Sequence, residues 1–305
     1  MIEYFILQYK MLNRKFNDFG LIPFFGYLLI LTFFLASSIY LFTKTEFAQY
    51  ALVLFSLGLT SKLSETNRND FLKICFNNKQ YKFLRVVENL ITSLPFLIFL
   101  IYKQSFVSPI ILFVFSILLS FGNFKTTLIY VLPTPFYKKP FEFIVGFRNT
   151  FFIFLVAYIL TIISISVNNF SLGIFSLTLV FVTIFGFFLT PENEYYVWSF
   201  AMTSKQFLME KIKISLIFST ILCIPIFLTL CIFYSTNIQV LLALYTFGLS
   251  ILISIILAKY SAYPNEINLI EAFLIASSIG FPPILFATIP YFYKKSLRRL
   301  EKYLK

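Results

Sequence analysis

Long apolar runs constrain the fold of this chain more than any other feature. A helix needs roughly 20 apolar residues to cross a bilayer, and eight runs approach that length. None shows the alternation of apolar and polar residues over ~10 residues that marks a membrane β-strand. The sequence therefore predicts an all-α, polytopic membrane bundle with eight clear spans and a broken C-terminal apolar segment. The runs cover residues 21–43, 47–61, 89–102, 106–122, 149–167, 171–190, 214–234 and 238–258.

Charge is scarce and confined to the connections between runs. Charged residues make up 12% of the chain, against about 25% in a soluble protein. The net charge of +12 reflects basic loops, so we expect membrane lipid and no nucleic acid as a partner. The N-terminal segment and the long connections hold 17 Lys and Arg residues, whereas the short loops hold only Lys44 and Lys103. This bias predicts that the N-terminus and the long loops are cytoplasmic.

Both ends of the chain carry recognisable patterns. Residues 1–20 place apolar side chains at helical spacing, which predicts an amphipathic helix in the membrane surface; a disordered basic tail is the alternative. Near the C-terminus, residues 267–292 are apolar but broken by Gly280-Phe281-Pro282-Pro283. We favour two short helices that return the basic tail to the cytoplasm, with a single ninth span as the alternative.

Two polar loops indicate a duplicated plan. Asn69–Phe76 is echoed about 124 residues later by Asn193–Phe200. Each octet leads to a Lys-Gln pair and then to an apolar run with a proline, which suggests parallel repeats of the kind found in some transporters. The predicted segments are a surface helix at 1–20, a first unit at 21–122 with loop 62–88, an elbow at 123–148, a second unit at 149–258 with loop 191–213, and a C-terminal segment at 259–305.

The chain lacks the motifs of most catalytic sites. None of its nine glycines begins a P-loop, and it contains no histidine, so a Ser-His-Asp or Cys-His set is excluded. The acidic residues are scattered singly, and we therefore expect no catalytic residue, no metal site and no cofactor. We interpret Glu88 as a membrane-edge residue paired with Arg85, and Glu271 as the better functional candidate. A secondary carrier is disfavoured because such proteins usually hold more charge within the membrane.

The polar loops also carry apolar and aromatic side chains. Such a loop can form a helix that docks in a groove on a partner or lies on the membrane, and an interfacial aromatic belt explains the pattern equally well. The candidate partner-binding residues are Phe71, Phe76, Lys79, Phe83, Arg85, Tyr195, Tyr196, Trp198 and Lys205.

The proline-rich stretch between the two units predicts an ordered elbow. We interpret it as a rigid connector. It is also the only candidate site for a second hypothesis, an integral-membrane enzyme that acts on lipid-linked substrates. The residues concerned are Lys138, Lys139, Glu142 and Arg148.

The layout resembles the membrane subunit of bacterial ABC-type exporters of the ABC-2-like permease class. The resemblance is carried by the N-terminal surface helix, the basic loop Arg68–Glu88, the stretch from Glu194 to Lys211, and the tail Tyr293–Leu304. It extends over most of the chain, although the chain has more apolar runs than the six that are common in that class. The resemblance implies a permease in the bacterial inner membrane whose loops act as coupling helices for a separate P-loop ATPase, and it leaves open a dimer with an identical or a different permease.

Overall fold

The computed structural model describes residues 2–105, 107–122, 134, 136 and 141–304. The predicted all-helical architecture is confirmed, because no strand occurs within these ranges. By contacts the chain divides into two compact units. Unit 1 comprises Met1–Asn17 and Leu21–Tyr130, and unit 2 comprises Asp18–Gly20 and Val131–Lys305.

Unit 1 contains the first six helices. They are α1 (Ile2–Phe19), α2 (Pro23–Lys44), α3 (Ala48–Lys62), α4 (Thr66–Cys75), α5 (Asn78–Tyr102) and α6 (Val107–Phe121).

Unit 2 contains the remaining helices. They are α7 (Phe141–Ser166), α8 (Phe170–Gly186), α9 (Glu194–Trp198), α10 (Ser204–Phe233), α11 (Ile238–Ala262), α12 (Leu269–Gly280) and α13 (Leu285–Leu300), with a 3₁₀ turn at Pro282–Ile284 between the last two. The C-terminal apolar segment is thus broken at its proline pair.

Among the described residues, five helices are long and apolar enough to cross a membrane, namely α2, α5, α7, α10 and the helical stretch Ser235–Ala262 that contains α11. Three more, α6, α8 and α12, are apolar but have 10–17 residues. Each predicted run falls on a helix, but eight full spans remain a prediction. Many large apolar side chains are exposed, such as Phe33 on α2 at 71%. A surface this apolar is typical of lipid contact and rare on a soluble monomer.

Local sequence explains where several helices begin. Pro23 opens α2 at a position where its missing N–H costs nothing. Thr203 and Gln206 form a reciprocal capping box at the start of α10, and the Asn169 side chain accepts a hydrogen bond from Leu172 N at the start of α8. These caps satisfy backbone N–H groups that a helix cannot bond internally.

Each unit has its own apolar core. In unit 1, Leu52 of α3, Phe96 of α5 and Leu112 of α6 pack together. In unit 2, a larger cluster joins α7, α8, α10, α11 and α13. Gly146 brings α7 close to the residues that follow α8, because a Cβ there would lie 2.3 Å from the Phe187 ring. This close approach brings the start of α7, which carries Glu142, next to the residues that follow α8.

Candidate functional site

The two repeated octets form short helices that precede long ones. Asn69–Phe76 contributes most of α4, and Asn193–Phe200 contains α9. Each Lys-Gln pair lies in the first turn of the following helix, α5 or α10, and both of these helices carry an internal proline, Pro95 or Pro225. The local plan of the two octets is therefore the same.

Most of the predicted partner-binding residues lie on the surface. The Phe71, Tyr195 and Trp198 side chains are 64%, 75% and 60% exposed. Phe83 is also exposed. Lys79 and Lys205 are exposed in the same way at the starts of α5 and α10. These residues are free to meet a partner or the membrane surface.

Three of the predicted residues have internal contacts instead. Arg85 is fully buried, donates hydrogen bonds to Leu63 O and Ser64 Oγ, and is therefore not part of the exposed surface. Phe76 is half-buried and lies edge-on to the Tyr4 ring at 5.9 Å. The Tyr196 ring is half-buried too, with the Lys211 ammonium 5.6 Å from its centroid.

Unit 1 holds a charge cluster at the base of α4. Glu88 of α5 pairs with Arg68 of α4 and lies 3.8 Å from Arg85, so the expected pairing of Glu88 with Arg85 is confirmed. The Tyr4 hydroxyl donates to Glu88 Oε1 at 2.5 Å. Burial and this hydrogen bond raise the pKa of Tyr4 to about 12. The cluster connects α1, α4 and α5.

Unit 2 holds a closed ring of four alternating charges. Lys211 Nζ lies 2.9 Å from Glu142 Oε1 and 3.0 Å from Glu192 Oε1, and Lys259 Nζ lies 3.4 Å from Glu142 Oε1 and 2.9 Å from Glu192 Oε2. The Tyr260 hydroxyl donates to Glu192 Oε1 at 2.7 Å. All four charged side chains are at least nine-tenths buried. We call these four charged residues the ion ring.

The ion ring joins four separate segments of unit 2. Glu142 lies in the first turn of α7, Lys259 in the last turn of α11, and Lys211 two turns into α10. Glu192 lies just before α9. The positions at the two helix ends also suit the helix dipoles, which favour an acid at the N-terminus and a base at the C-terminus.

Opposite charges explain how the ion ring tolerates burial. Burial by itself would raise the pKa of Glu192, but the ammonium groups of Lys259 and Lys211 outweigh this effect and hold the pKa below its usual range. The ring has no net charge when all four groups are ionised. Removing one member would leave an uncompensated buried charge, which is costly.

A cavity of about 710 Å³ opens beside the ion ring. Both glutamates of the ring line it, and neither lysine does. Its other polar walls come from α7, from the C-terminal part of α8 and the residues after it, and from α9. They are Asn149, Thr150, Thr183, Thr190, Asn193 and Tyr196.

The remaining candidate residues lie outside the ion ring. The carboxylate of Glu271, in α12, is 2.6 Å from Lys295 Nζ of α13, so it joins the two halves of the broken C-terminal segment. Arg148 of the elbow is exposed on α7, whereas Lys138 and Lys139 lie outside the described residues. Within the described ranges, no three His, Cys, Asp or Glu residues are grouped as a metal site would require.

Sequence reasoning missed the ion ring. It counted Lys211 and Lys259 only among the 17 basic residues that predict the orientation of the chain. A usable signal was present, because Lys259 directly follows an apolar run and Lys211 lies three residues before one. Charged residues at such positions are seldom left without a partner. Which acid each lysine meets depends on how α7, α10 and α11 pack.

Comparison of the chain with protein-family models, curated proteins and solved structures finds no match.

Proposed function

We propose that this chain is the membrane-spanning permease subunit of an ATP-driven exporter, and that a separate P-loop ATPase hydrolyses the ATP. In this proposal the protein lies in a bacterial inner membrane with its N-terminus in the cytoplasm. Helices α4 and α9 face the cytoplasm and bind the ATPase. A second permease, identical or different, would complete the assembly.

The observation that carries the proposal is the way in which each loop helix is anchored. Helix α4 contributes Arg68, which pairs with Glu88 on the long helix α5. Helix α9 directly follows Glu192, which contacts Lys211 on α10 and Lys259 on α11. A force applied to either short helix would therefore reach the long apolar helices through charge pairs, which are partly buried in unit 1 and buried in unit 2.

The exposed aromatic side chains supply the surface for a partner. Phe71 on α4 and Tyr195 and Trp198 on α9 place large apolar areas next to polar loop residues. Aromatic residues of this kind are frequent energetic centres of protein interfaces. Each short helix thus combines exposed aromatic side chains, which can bind a partner, with a charged residue, within it or just before it, that pairs with a long apolar helix. We expect a coupling helix to have both.

The test is capture of the partner from native membranes. A tagged chain should retain a P-loop ATPase. Phe71→Asp, Phe83→Asp and Trp198→Asp should each weaken capture by about 100-fold, because an unpaired carboxylate buried at an interface costs several kcal/mol. The matched control is Phe47→Asp, which changes an aromatic residue of 73% exposure in the loop between α2 and α3. If all four variants captured the ATPase as well as the parent does, α4 and α9 would be surface-lying helices only.

One observation favours the second candidate, an integral-membrane enzyme for lipid-linked substrates. Charged and hydroxyl groups converge at the cavity beside the ion ring, as that hypothesis requires. Conversion of a lipid-linked substrate by the purified chain without ATP, together with no capture of an ATPase by the tagged chain, would support the enzyme over the permease.

A further inference from the structure

The cavity beside the ion ring has the size of a ligand site. Its volume of about 710 Å³ falls within the roughly 300–1,000 Å³ of typical small-molecule pockets. It lies entirely in unit 2, with α7 on one wall and the end of α8 and the following residues on another.

A glycine on the wall of this cavity offers a position for a test. Gly186 is the last residue of α8 and lines the cavity. A Cβ built on Gly186 meets no atom of the described residues within 4 Å. A larger side chain at this position on the cavity wall would therefore meet no steric clash at its Cβ.

The charges around the cavity are not symmetric. Glu142 and Glu192 line it, whereas Lys211 and Lys259 contact the same carboxylates but are absent from the wall. The neutral ion ring thus presents its negative side to the cavity. This arrangement favours a positively charged group and disfavours an anion.

Two hydroxyl oxygens of the remaining polar wall are available as hydrogen-bond acceptors. The Thr150 hydroxyl donates to Gly146 O and the Thr183 hydroxyl donates to Leu179 O. Each hydroxyl proton is therefore used within its own helix, and the oxygen lone pairs are left to accept. The Tyr196 ring adds an aromatic wall, which attracts cations.

Apolar side chains complete the wall. Phe141, Val145 and Phe187 line the cavity together with the acceptors. A ligand that satisfies both parts has an ammonium group and a hydrocarbon part.

We propose that this cavity binds the primary ammonium end of an amphiphile. The ammonium would lie against the acceptor wall beside Glu142 and Glu192, and the hydrocarbon part would lie against Phe141, Val145 and Phe187. The source is either the headgroup of an ethanolamine lipid or a free amphiphilic amine. The proposal does not depend on the ATPase, because binding is measured on the chain alone.

The first experiment compares three probes of equal chain length at pH 7. Octylamine, octanol and octanoate are titrated against the purified chain in nanodiscs made of phosphatidylcholine, and the shift in thermal unfolding is followed, since a bound ligand stabilises the folded state. We expect saturable binding of octylamine, at least tenfold weaker binding of octanol, and no binding of octanoate. Equal effects of the three probes would overturn the proposal.

A pair of glycine variants locates the binding. Gly186→Leu fills the cavity and should weaken octylamine binding at least tenfold. Gly280→Leu is the matched control, because Gly280 also ends a helix of unit 2 and a Cβ there also meets no described atom within 4 Å; its affinity should stay within twofold of the parent. Unchanged octylamine binding in Gly186→Leu would overturn the site.

The natural source is decided by lipid retention. The chain is transferred to nanodiscs that contain phosphatidylethanolamine, and native mass spectrometry counts the lipids that remain bound. Retention that octylamine displaces and Gly186→Leu abolishes would assign the site to the lipid headgroup. Octylamine binding without lipid retention would assign it to a free amine. If the tagged parent chain captured no ATPase but bound octylamine normally, the result would count against the permease proposal alone.

Discussion

Arg85 and Lys211 occupy corresponding positions in the two repeated segments. Each lies six residues after the lysine of a Lys-Gln pair, in α5 or in α10. Each is buried and paired with a glutamate. The residues directly before the two octets, Arg68 and Glu192, also correspond. Arg68 belongs to the charge cluster that contains Arg85, and Glu192 belongs to the ion ring that contains Lys211. The duplicated plan thus extends from the loop pattern to the buried cations.

The first prediction concerns the stability of unit 2. Lys211→Met leaves two buried carboxylates with one ammonium, so we expect the free energy of unfolding to fall by about 3–5 kcal/mol. Lys205→Met is the control, because Lys205 is exposed in the first turn of the same helix and its loss should cost no more than about 0.5 kcal/mol. Denaturant unfolding in detergent measures both. Similar small losses in the two variants would show that the ion ring contributes little.

The second prediction tests whether Lys211 and Glu142 act as a pair. The double variant Lys211→Met/Glu142→Gln leaves Glu192 and Lys259 as a neutral pair at 2.9 Å. We therefore expect it to be more stable than the sum of the two single variants implies, by about 0.5–3 kcal/mol. Strict additivity in the double-mutant cycle would contradict a direct interaction between the two side chains.

The third prediction concerns acid. Because the pKa of Glu192 is held below its usual range, its ionised form contributes stability above the unfolded carboxyl pKa of about 4.3. That contribution is lost as the pH falls through the lower, folded value. The stability difference between the parent and Glu192→Gln should thus be full at pH 7 and shrink below about pH 4. A difference that does not change with pH would refute the charge-based contribution.

The sequence pattern was sufficient to predict the helices and the exposed aromatic residues, but not the charge pairs that depend on helix packing. The apolar runs determine helices because a buried or lipid-facing backbone must form its hydrogen bonds internally, so every run fell on a helix. Phe71 and Trp198 were placed on the surface by loop polarity alone. Arg85, however, looked like a loop cation, since its spacing does not show that Leu63 O and Ser64 lie within reach. The ion ring was missed because Glu142 and Lys259 are 117 residues apart.

The fourth prediction separates interior from surface aromatics in unit 1. Phe76 packs with Tyr4 against the cluster formed by Leu72, Tyr81 and Leu84, so Phe76→Asp should destabilise the fold by several kcal/mol. Phe71→Asp changes a side chain that is 64% exposed and should leave the unfolding free energy within about 0.5 kcal/mol of the parent. Equal destabilisation would mean that Phe71 is covered within the protein and is not available to a partner.

The last prediction concerns membrane orientation. Helix α5 has 25 residues, so Lys79 in its first turn and Lys103 just after its end are separated by about 36 Å along the axis. The charge bias predicts that Lys79 is cytoplasmic and Lys103 outside. In a variant without Cys75, Cys223 and Cys231, an impermeant thiol reagent should label Lys103→Cys in intact cells and Lys79→Cys only after the membrane is opened. Labelling of both from outside would show that α5 does not span the membrane, and labelling of Lys79→Cys alone would invert the orientation of the chain. Either result would remove α4, which directly precedes α5, from the cytoplasm, and with it the proposed ATPase contact.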